Sequence, residues 1–388
     1  LGKCGGYDSD IVAAMQWAAG ISISGVPDNQ TPAKVINMSL GSVSACSEPY
    51  ASLITQLTAM DVVVVASAGN EGGSVDEPAN CPGAIAVAGV RHAGTKVGYS
   101  SIGLEVAIAA PAGNCVNLNG ACLFELTTTT NAGSQQPIAG GTYTDQGFSA
   151  NIGTSFSAPL TAGVAALMFA ANDSLSAVQI RARMREGATT FPIGAGVPTC
   201  HVPAHLSDFQ TEECTCTTST CGAGMLHAEN AVRAAQRPNA KITLPSIVTS
   251  GASVTLDGSI SAPATGRTLT TFAWSVHGTC DTTAPTPTSV NQSGLVLNAP
   301  MVGLYFLQLV VTDSLGAVDS SYVTLSASSA TSTDSAPSCP ATPAVTPPSS
   351  GGSGGGGGSL TLSLLLLLLG LRALQNYVGI SRTSFCKY

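Results

Sequence analysis

The 388-residue chain carries 14 basic against 22 acidic residues, a net charge of −8, with no cluster of Lys or Arg, so nucleic-acid binding has no electrostatic basis. Charged residues make up only 9%, against a usual figure of about 25%, while 44% are apolar, enough for a substantial core. Twelve cysteines, several in local pairs (Cys115 with Cys122, Cys214 with Cys216, Cys216 with Cys221), fit disulfides formed in an oxidising compartment; the sharper alternative is a zinc cluster, because His201 and His205 lie near Cys200.

Leu1-Gly2-Lys3-Cys4 opens with neither Met nor a signal peptide and runs into a helical pattern, so a front segment is expected to be missing. Asp8 or Ser9 caps a helix through Ile11, Val12, Met15 and Trp17, which Gly20 stops. Ala33 to Ser39 reads as a short apolar strand, and Pro49 to Met60 as a helix. Val62-Val63-Val64-Val65-Ala66 is a continuous β-branched run, the pattern of a strand buried on both faces of a parallel sheet. Ile85 to Val90 and Val106 to Ala109 are further strands; Ala158 to Ala171 is a helix of small residues, and Leu175 to Glu186 a more amphipathic one. The alternation predicts an α/β domain over residues 1–236, a parallel sheet with helices on both faces, whose active residues sit at the carboxyl ends of strands.

Pro238 marks a change of text. From Ile242 to Leu325 short stretches of period-2 alternation follow one another, among them Val254 to Gly258, Thr271 to Trp274 and Tyr305 to Val311. They predict a small all-β sandwich over residues 238–327. Residues 328–350 are rich in Ser, Thr and Pro and read as a linker. Residues 351–388 begin with glycines and continue into Leu360 to Leu371, an apolar run shorter than the roughly 20 residues of a stable membrane span.

The strongest chemical signal is Gly153-Thr154-Ser155-Phe156-Ser157-Ala158-Pro159. Ser155 falls at a helix start, where free N–H groups and the positive end of the dipole favour developing negative charge. Gly153 lets a backbone approach closely, and Pro159 suits a first helical turn. On spacing alone an ordinary N-cap serine fits as well, and Ser155 is not separable from Ser157. The string resembles the nucleophile motif of the subtilase family, G-T-S-x-[SA]-x-P, whose first serine attacks the substrate; the resemblance gives that role to Ser155. Ala66-Ser67-Ala68-Gly69-Asn70-Glu71-Gly72 ends the valine strand in an amide-bearing turn and resembles the family's oxyanion motif, which makes Asn70 the donor to the oxyanion. Val35-Ile36-Asn37-Met38-Ser39-Leu40-Gly41 resembles the N-x-S-L-G segment, in which Ser39, Leu40 and Gly41 pair with an extended substrate. By the same resemblance Ala68, Gly69 and Gly153 line the pocket for the residue before the scissile bond. Gly222 to Ala228 resembles the closing helix, Cys46 is expected to pair with Cys81, and Cys200, Cys214, Cys216 and Cys221 are expected to form two bridges of undetermined order.

Two family motifs do not occur ahead of Ser39: D-[ST]-G for the catalytic Asp and H-G-T-x-V-A for the His. Asp8-Ser9-Asp10 lacks the glycine, His277-Gly278-Thr279 lies in the β-sandwich and reads as coincidence, and His92 falls on a surface loop. Residues 1–388 alone are therefore expected to be inactive, with the complete protein a protease. The β-sandwich resembles polycystic-kidney-disease-type (PKD) domains, on Val254 to Ser259, Trp274 as a core residue, Tyr305, and Val310 to Gly316. The tail resembles GlyGly-type sorting signals of Gram-negative bacteria, with only Arg372 where those signals carry an Arg cluster.

Together these imply a secreted or cell-surface serine endopeptidase of a Gram-negative bacterium. It would act as a monomer on polypeptide substrates through an acyl-enzyme on Ser155, touching a membrane only through its tail. The alternative is a non-catalytic surface protein that binds polypeptide on the same scaffold. Calcium is compatible with the resemblance, but no D-x-D-x-D loop names its ligands.

Overall fold

The computed structural model describes residues 6–116, 123–133, 136–145, 151–194, 196–245, 248–280, 292–297 and 303–328. The linker and the tail expected over 328–350 and 351–388 lie outside them, apart from residue 328.

The cap of helix α1 (Asp8–Ala18) is Tyr7, ahead of both expected caps, and Asp8 and Asp10 instead lie in the first turn, against the positive end of the dipole. Strand β1 (Val35–Met38), helix α2 (Glu48–Ala59) and strands β2 (Val63–Ser67), β3 (Ile85–Val90) and β4 (Val106–Pro111) follow. The four strands form one parallel sheet in the order β1-β2-β3-β4.

The valine run is apolar throughout because β2 has no solvent face. Val64 and Ala66 pack with Met15, Leu53, Ile54 and Leu57 on the side of α1 and α2. Val63 and Val65 point the other way, onto Ala158, Val164, Ala165 and Met168 of helix α3 (Thr154–Ala171), behind which lie α4 (Ala177–Glu186) and α5 (Ala228–Ala235). Among the described residues α3 is the one helix long and apolar enough to cross a membrane, and it is the central helix of this core.

Two expectations are corrected. Helix α3 begins at Thr154 rather than Ala158, so Pro159 lies inside the helix. The expected helix over Gly222 to Ala228 is not helical before Ala228. Gly222 and Gly224 have φ of +82° and +155°. Met225 bridges Ala109 on one side and Thr189 on the other, and His227 caps α5 by accepting from Asn230 N–H at 3.2 Å. A residue tied into two ladders cannot also lie in a helix.

Between β4 and α3 a short hairpin pairs Thr128–Thr130 (β5) with Thr142–Thr144 (β6). In the sandwich, Val248–Thr249 (β7), Leu269–Cys280 (β9), Gly303–Asp313 (β11) and Val318–Ser328 (β12) form one sheet, ordered β7-β12-β11-β9. Val254–Asp257 (β8) and Gly294–Leu297 (β10) form the other. Trp274 is buried between Leu256, Leu295 and Leu309, with its indole N–H on the Gln292 carbonyl at 2.9 Å.

Cys46 pairs with Cys81, Cys200 with Cys214 and Cys216 with Cys221. Cys115 is also disulfide-bonded, while Cys122 lies outside the described residues. The zinc alternative fails because these bridges consume the thiolates it needs, and His201 turns instead to Asp208. The Cys46–Cys81 bridge closes a loop of 35 residues. Replacing both cysteines with serine should lower unfolding free energy by about 4 kcal/mol in urea titration.

Candidate active site

Three backbone segments converge at one rim of the parallel sheet. β1 ends at Met38 and delivers Ser39, Leu40 and Gly41; its neighbour β2 ends at Ser67 and delivers Ala68, Gly69 and Asn70. α3 begins between them at Thr154. Both loops leave the carboxyl ends of parallel strands, where α/β sheets place their ligands.

Each joint is held by specific bonds. Ser39 Oγ donates to the Ser155 carbonyl at 2.7 Å, and Asn37 Nδ2 donates to Ser39 Oγ at 2.9 Å. The Ser155 carbonyl would ordinarily receive the N–H of residue 159, but that residue is proline and has none. The proline inside α3 thus frees a carbonyl that ties the helix start to the end of β1.

On the other side, Asn70 Oδ1 accepts from Thr154 N–H at 2.9 Å and lies 3.0 Å from Thr154 Oγ1. Thr154 Oγ1 also accepts from Gly69 N–H at 3.3 Å. With its oxygen pinned, Asn70 presents Nδ2, which has no hydrogen-bond partner among the described residues. Gly153, at φ +126°, brings the chain close beneath it: a Cβ there would stand 3.5 Å from Asn70 Oδ1. Gly153 N–H is held by the Ala112 carbonyl and the Tyr99 hydroxyl, each at 2.9 Å. Tyr99 itself donates to the Ala112 carbonyl, and burial pushes its hydroxyl pKa well above the usual value.

The two serines of the motif are in opposite states. Ser157 is fully buried and its Oγ contacts the Ala110 and Pro111 carbonyls at 3.1 and 2.9 Å. Ser155 is half-buried, and its Oγ has only a long contact of 3.5 Å to the Ser39 carbonyl. Ser155 sits in the first turn of α3, where N–H groups lack a carbonyl four residues back. A weakly held hydroxyl, an amide Nδ2 and the positive end of a helix share one rim, which is what acyl transfer needs at the carbonyl under attack.

Among the described residues no histidine is bonded to Ser155. His92 sits in an exposed turn with Nδ1 2.5 Å from Asn114 Oδ1 and its ring edge-on to Phe124. His277 lies on β9, whose Gly278 faces Phe306 in register. Among the described residues, the groups with enough donor atoms for a metal are Cys200, Cys216 and Cys221, and Cys46, Glu77 and Cys81. Their sulfurs are all in disulfides, so neither set suits the oxygen-seeking calcium ion.

A family model described as the subtilase family matches residues 1–223, more than half of the chain. The chain belongs to the subtilase family. A PKD-domain model matches residues 238–326. This subtilase is 37% identical over 177 residues to an extracellular basic protease of Dichelobacter nodosus, covering 45% of this chain and 26% of that protein. It is 34% identical over 238 residues to an extracellular protease of Xanthomonas campestris pv. campestris, covering 61% and 34% respectively. The matched part thus spans about a quarter to a third of the length of those relatives. Among solved structures, proteases from Pseudoalteromonas arctica align at 33% identity and a TM-score of 0.47, over 61% of each chain.

The sequence named Thr154 only as part of a motif, and gave no role to Tyr99. Both act by fixing other residues, Thr154 the Asn70 amide and Tyr99 the Gly153 backbone. Their spacing along the chain carries no sign of those partnerships.

Proposed function

We propose that residues 1–236 are the nucleophile-bearing part of a secreted serine endopeptidase, in which Ser155 attacks the peptide carbonyl and Asn70 Nδ2 donates to the oxyanion. The observation that carries this is the Thr154–Asn70 pair, which locks the amide beside the one serine of the motif whose hydroxyl is held only by a long 3.5 Å contact. Ser39, Leu40 and Gly41 offer an extended edge to the substrate backbone, and Ala68, Gly69 and Gly153 enclose the side chain before the scissile bond. The names of the extracellular relatives and the disulfides agree with export.

Attack by Ser155 forms a tetrahedral oxyanion, whose collapse expels the amine and leaves an acyl-enzyme that water hydrolyses. A neutral serine needs a base to take its proton and return it to the leaving amine. No described residue is placed to do so. We assign that base and its orienting carboxylate to polypeptide outside residues 1–388.

The reading is tested with a fluorophosphonate probe on the 388-residue chain and on the longer gene product. Covalent labelling at Ser155 in the longer form alone is the expected result. Absence of labelling in both, with both folded by circular dichroism, favours the binding-protein alternative and overturns the enzyme.

A further inference from the structure

Between β4 and α3 the chain builds a feature that no step above uses. The hairpin of β5 and β6 is a sheet of two strands alone, an arrangement that is marginal unless something braces it. Here an asparagine braces each end. At the base Asn151, 6% exposed, donates from Nδ2 to the Leu126 and Thr144 carbonyls at 2.9 and 2.8 Å, while its N–H reaches the Asp145 carbonyl at 2.7 Å. Toward the tip Asn131 Nδ2 donates to the Ile138 carbonyl at 2.9 Å, and its Oδ1 accepts from the Gly133 and Ile138 N–H groups at 3.0 and 2.9 Å. After Asn151 come Ile152, packed against Val97, Tyr99 and Ala112, and then Gly153, Thr154 and Ser155. The hairpin is thus fastened to the stretch that carries the nucleophile.

This bracing serves no core. Leu123, Phe124, Ile138 and Tyr143 are all more than half exposed, and Tyr143, directly opposite Thr129, is 74% exposed. No charged residue stands between Leu126 and Thr144. Open strand edges are ordinarily guarded by charges, prolines or a covering loop. Among the described residues neither strand pairs with a third, and neither carries a charge or a proline, so the hairpin offers an open, unguarded edge. Its place on the rim follows from the strand order β1-β2-β3-β4. Ser39 to Gly41 follow β1, Asn70 follows β2, and the hairpin follows β4 at the far side. A polypeptide that lies along Ser39 to Gly41 and is attacked at Ser155 leaves toward the hairpin.

We propose that this hairpin is a second polypeptide-binding element, which takes the substrate well beyond the scissile bond as an added strand and selects extended, uncharged sequence there. This rests on the protease reading above and adds the class of polypeptide that the enzyme accepts. Main-chain pairing along the open edge supplies affinity, and exposed apolar side chains such as Tyr143 cover alternate residues of the added strand. An edge held rigid by Asn131 and Asn151 loses little freedom when it is occupied. A charged residue in the added strand would give up water and find no counter-charge along the hairpin. The same edge could pair with the hairpin of a second copy of this chain. The substrate is the better occupant, because the brace at Asn151 ties the hairpin to the nucleophile's own loop, a link that pairing between copies does not require.

The experiment compares two peptides on the longer gene product. They are identical up to the cleaved bond and continue beyond it either briefly or for a long uncharged stretch of alternating threonine and valine. The longer peptide should be cleaved with a kcat/KM about 10-fold higher, the size of a few cross-strand pairs. Tyr143→Asp should abolish that gain, as should Thr129→Asp in a second variant and a long stretch that carries aspartates in wild type. If fluorophosphonate labels Ser155 but wild type cleaves both peptides equally well, or if the gain survives in both variants, the hairpin assignment is overturned while the protease stands. If nothing is labelled or cleaved, the protease reading fails and the hairpin assignment falls with it. A dimer in light scattering that Tyr143→Asp dissolves, with no gain for the longer peptide, overturns the proposal in favour of a second copy.

Discussion

Replacing Ser155 with alanine should lower peptide turnover by the longer gene product about 10⁶-fold, the loss that removing the nucleophile causes in subtilisin. The paired control is Ser157→Ala, two residues on. Ser157 Oγ lies on the Ala110 and Pro111 carbonyls inside the core, so its loss should cost about 1–2 kcal/mol of stability and leave turnover within a few-fold. Initial rates normalised to the folded fraction from circular dichroism separate the two effects, because misfolding lowers the amount of folded protein and a missing nucleophile lowers the rate per folded molecule. If both variants lose turnover equally, Ser155 is a structural cap and the mechanism above is wrong. The contrast is sharp because α3 begins at Thr154. One serine of the motif faces the rim and the other faces β4, a separation fixed by helical geometry rather than by chemistry.

Much of this architecture was readable in the residues. Val62 to Ala66 declared its position because a strand covered on both faces has no use for a polar residue. The sandwich strands showed their alternation because each has one core face, as Tyr305, Leu307, Leu309 and Val311 do. The start of α3 was misread for a physical reason. Proline is normally confined to a first turn, and here its cost inside the helix is offset by the Ser39 hydroxyl, 116 residues away in sequence. The segment before α5 was misread because Gly222 and Gly224 sit in a text of small residues that reads as helical until Met225 is seen pairing with two ladders. Within the site, the motif residues were legible and their supports were not. Asp76 stands in an unremarkable Val-Asp-Glu-Pro stretch, and only the fold reveals that its carboxyl lies against Gly41 and Gly69.

Arg183→Met should lower unfolding free energy by about 3–5 kcal/mol and separate the melting of the two domains. Arg183 lies on α4, is nearly fully buried, and reaches out of its own domain. Its Nη1 donates to the carbonyls of Ala234, Ala235 and Arg237 at 3.2, 3.4 and 2.9 Å, gathering the negative end of α5. Its Nη2 donates to the Pro238 carbonyl at 2.7 Å and pairs with Asp319 of β12 at 3.1 Å. Asp319 in turn accepts from Ala240 N–H at 3.0 Å, so one guanidinium ties the end of the subtilase domain, the joining residues and the sandwich together. Methionine keeps most of the stem's packing but takes the guanidinium away from Asp319 and four carbonyls, and buried acceptors that lose their donor are costly. The comparison is Arg233→Ala, whose partner Glu229 lies one turn away with both side chains more than 60% exposed; that change should stay within about 0.5 kcal/mol. Calorimetry distinguishes the cases. A single cooperative transition in the wild type that splits in two for Arg183→Met shows that the junction couples the domains. A uniform downward shift without splitting would instead mean that Arg183 stabilises α4 and α5 alone, and that the sandwich is held by the backbone bonds at Asn239 and Thr265.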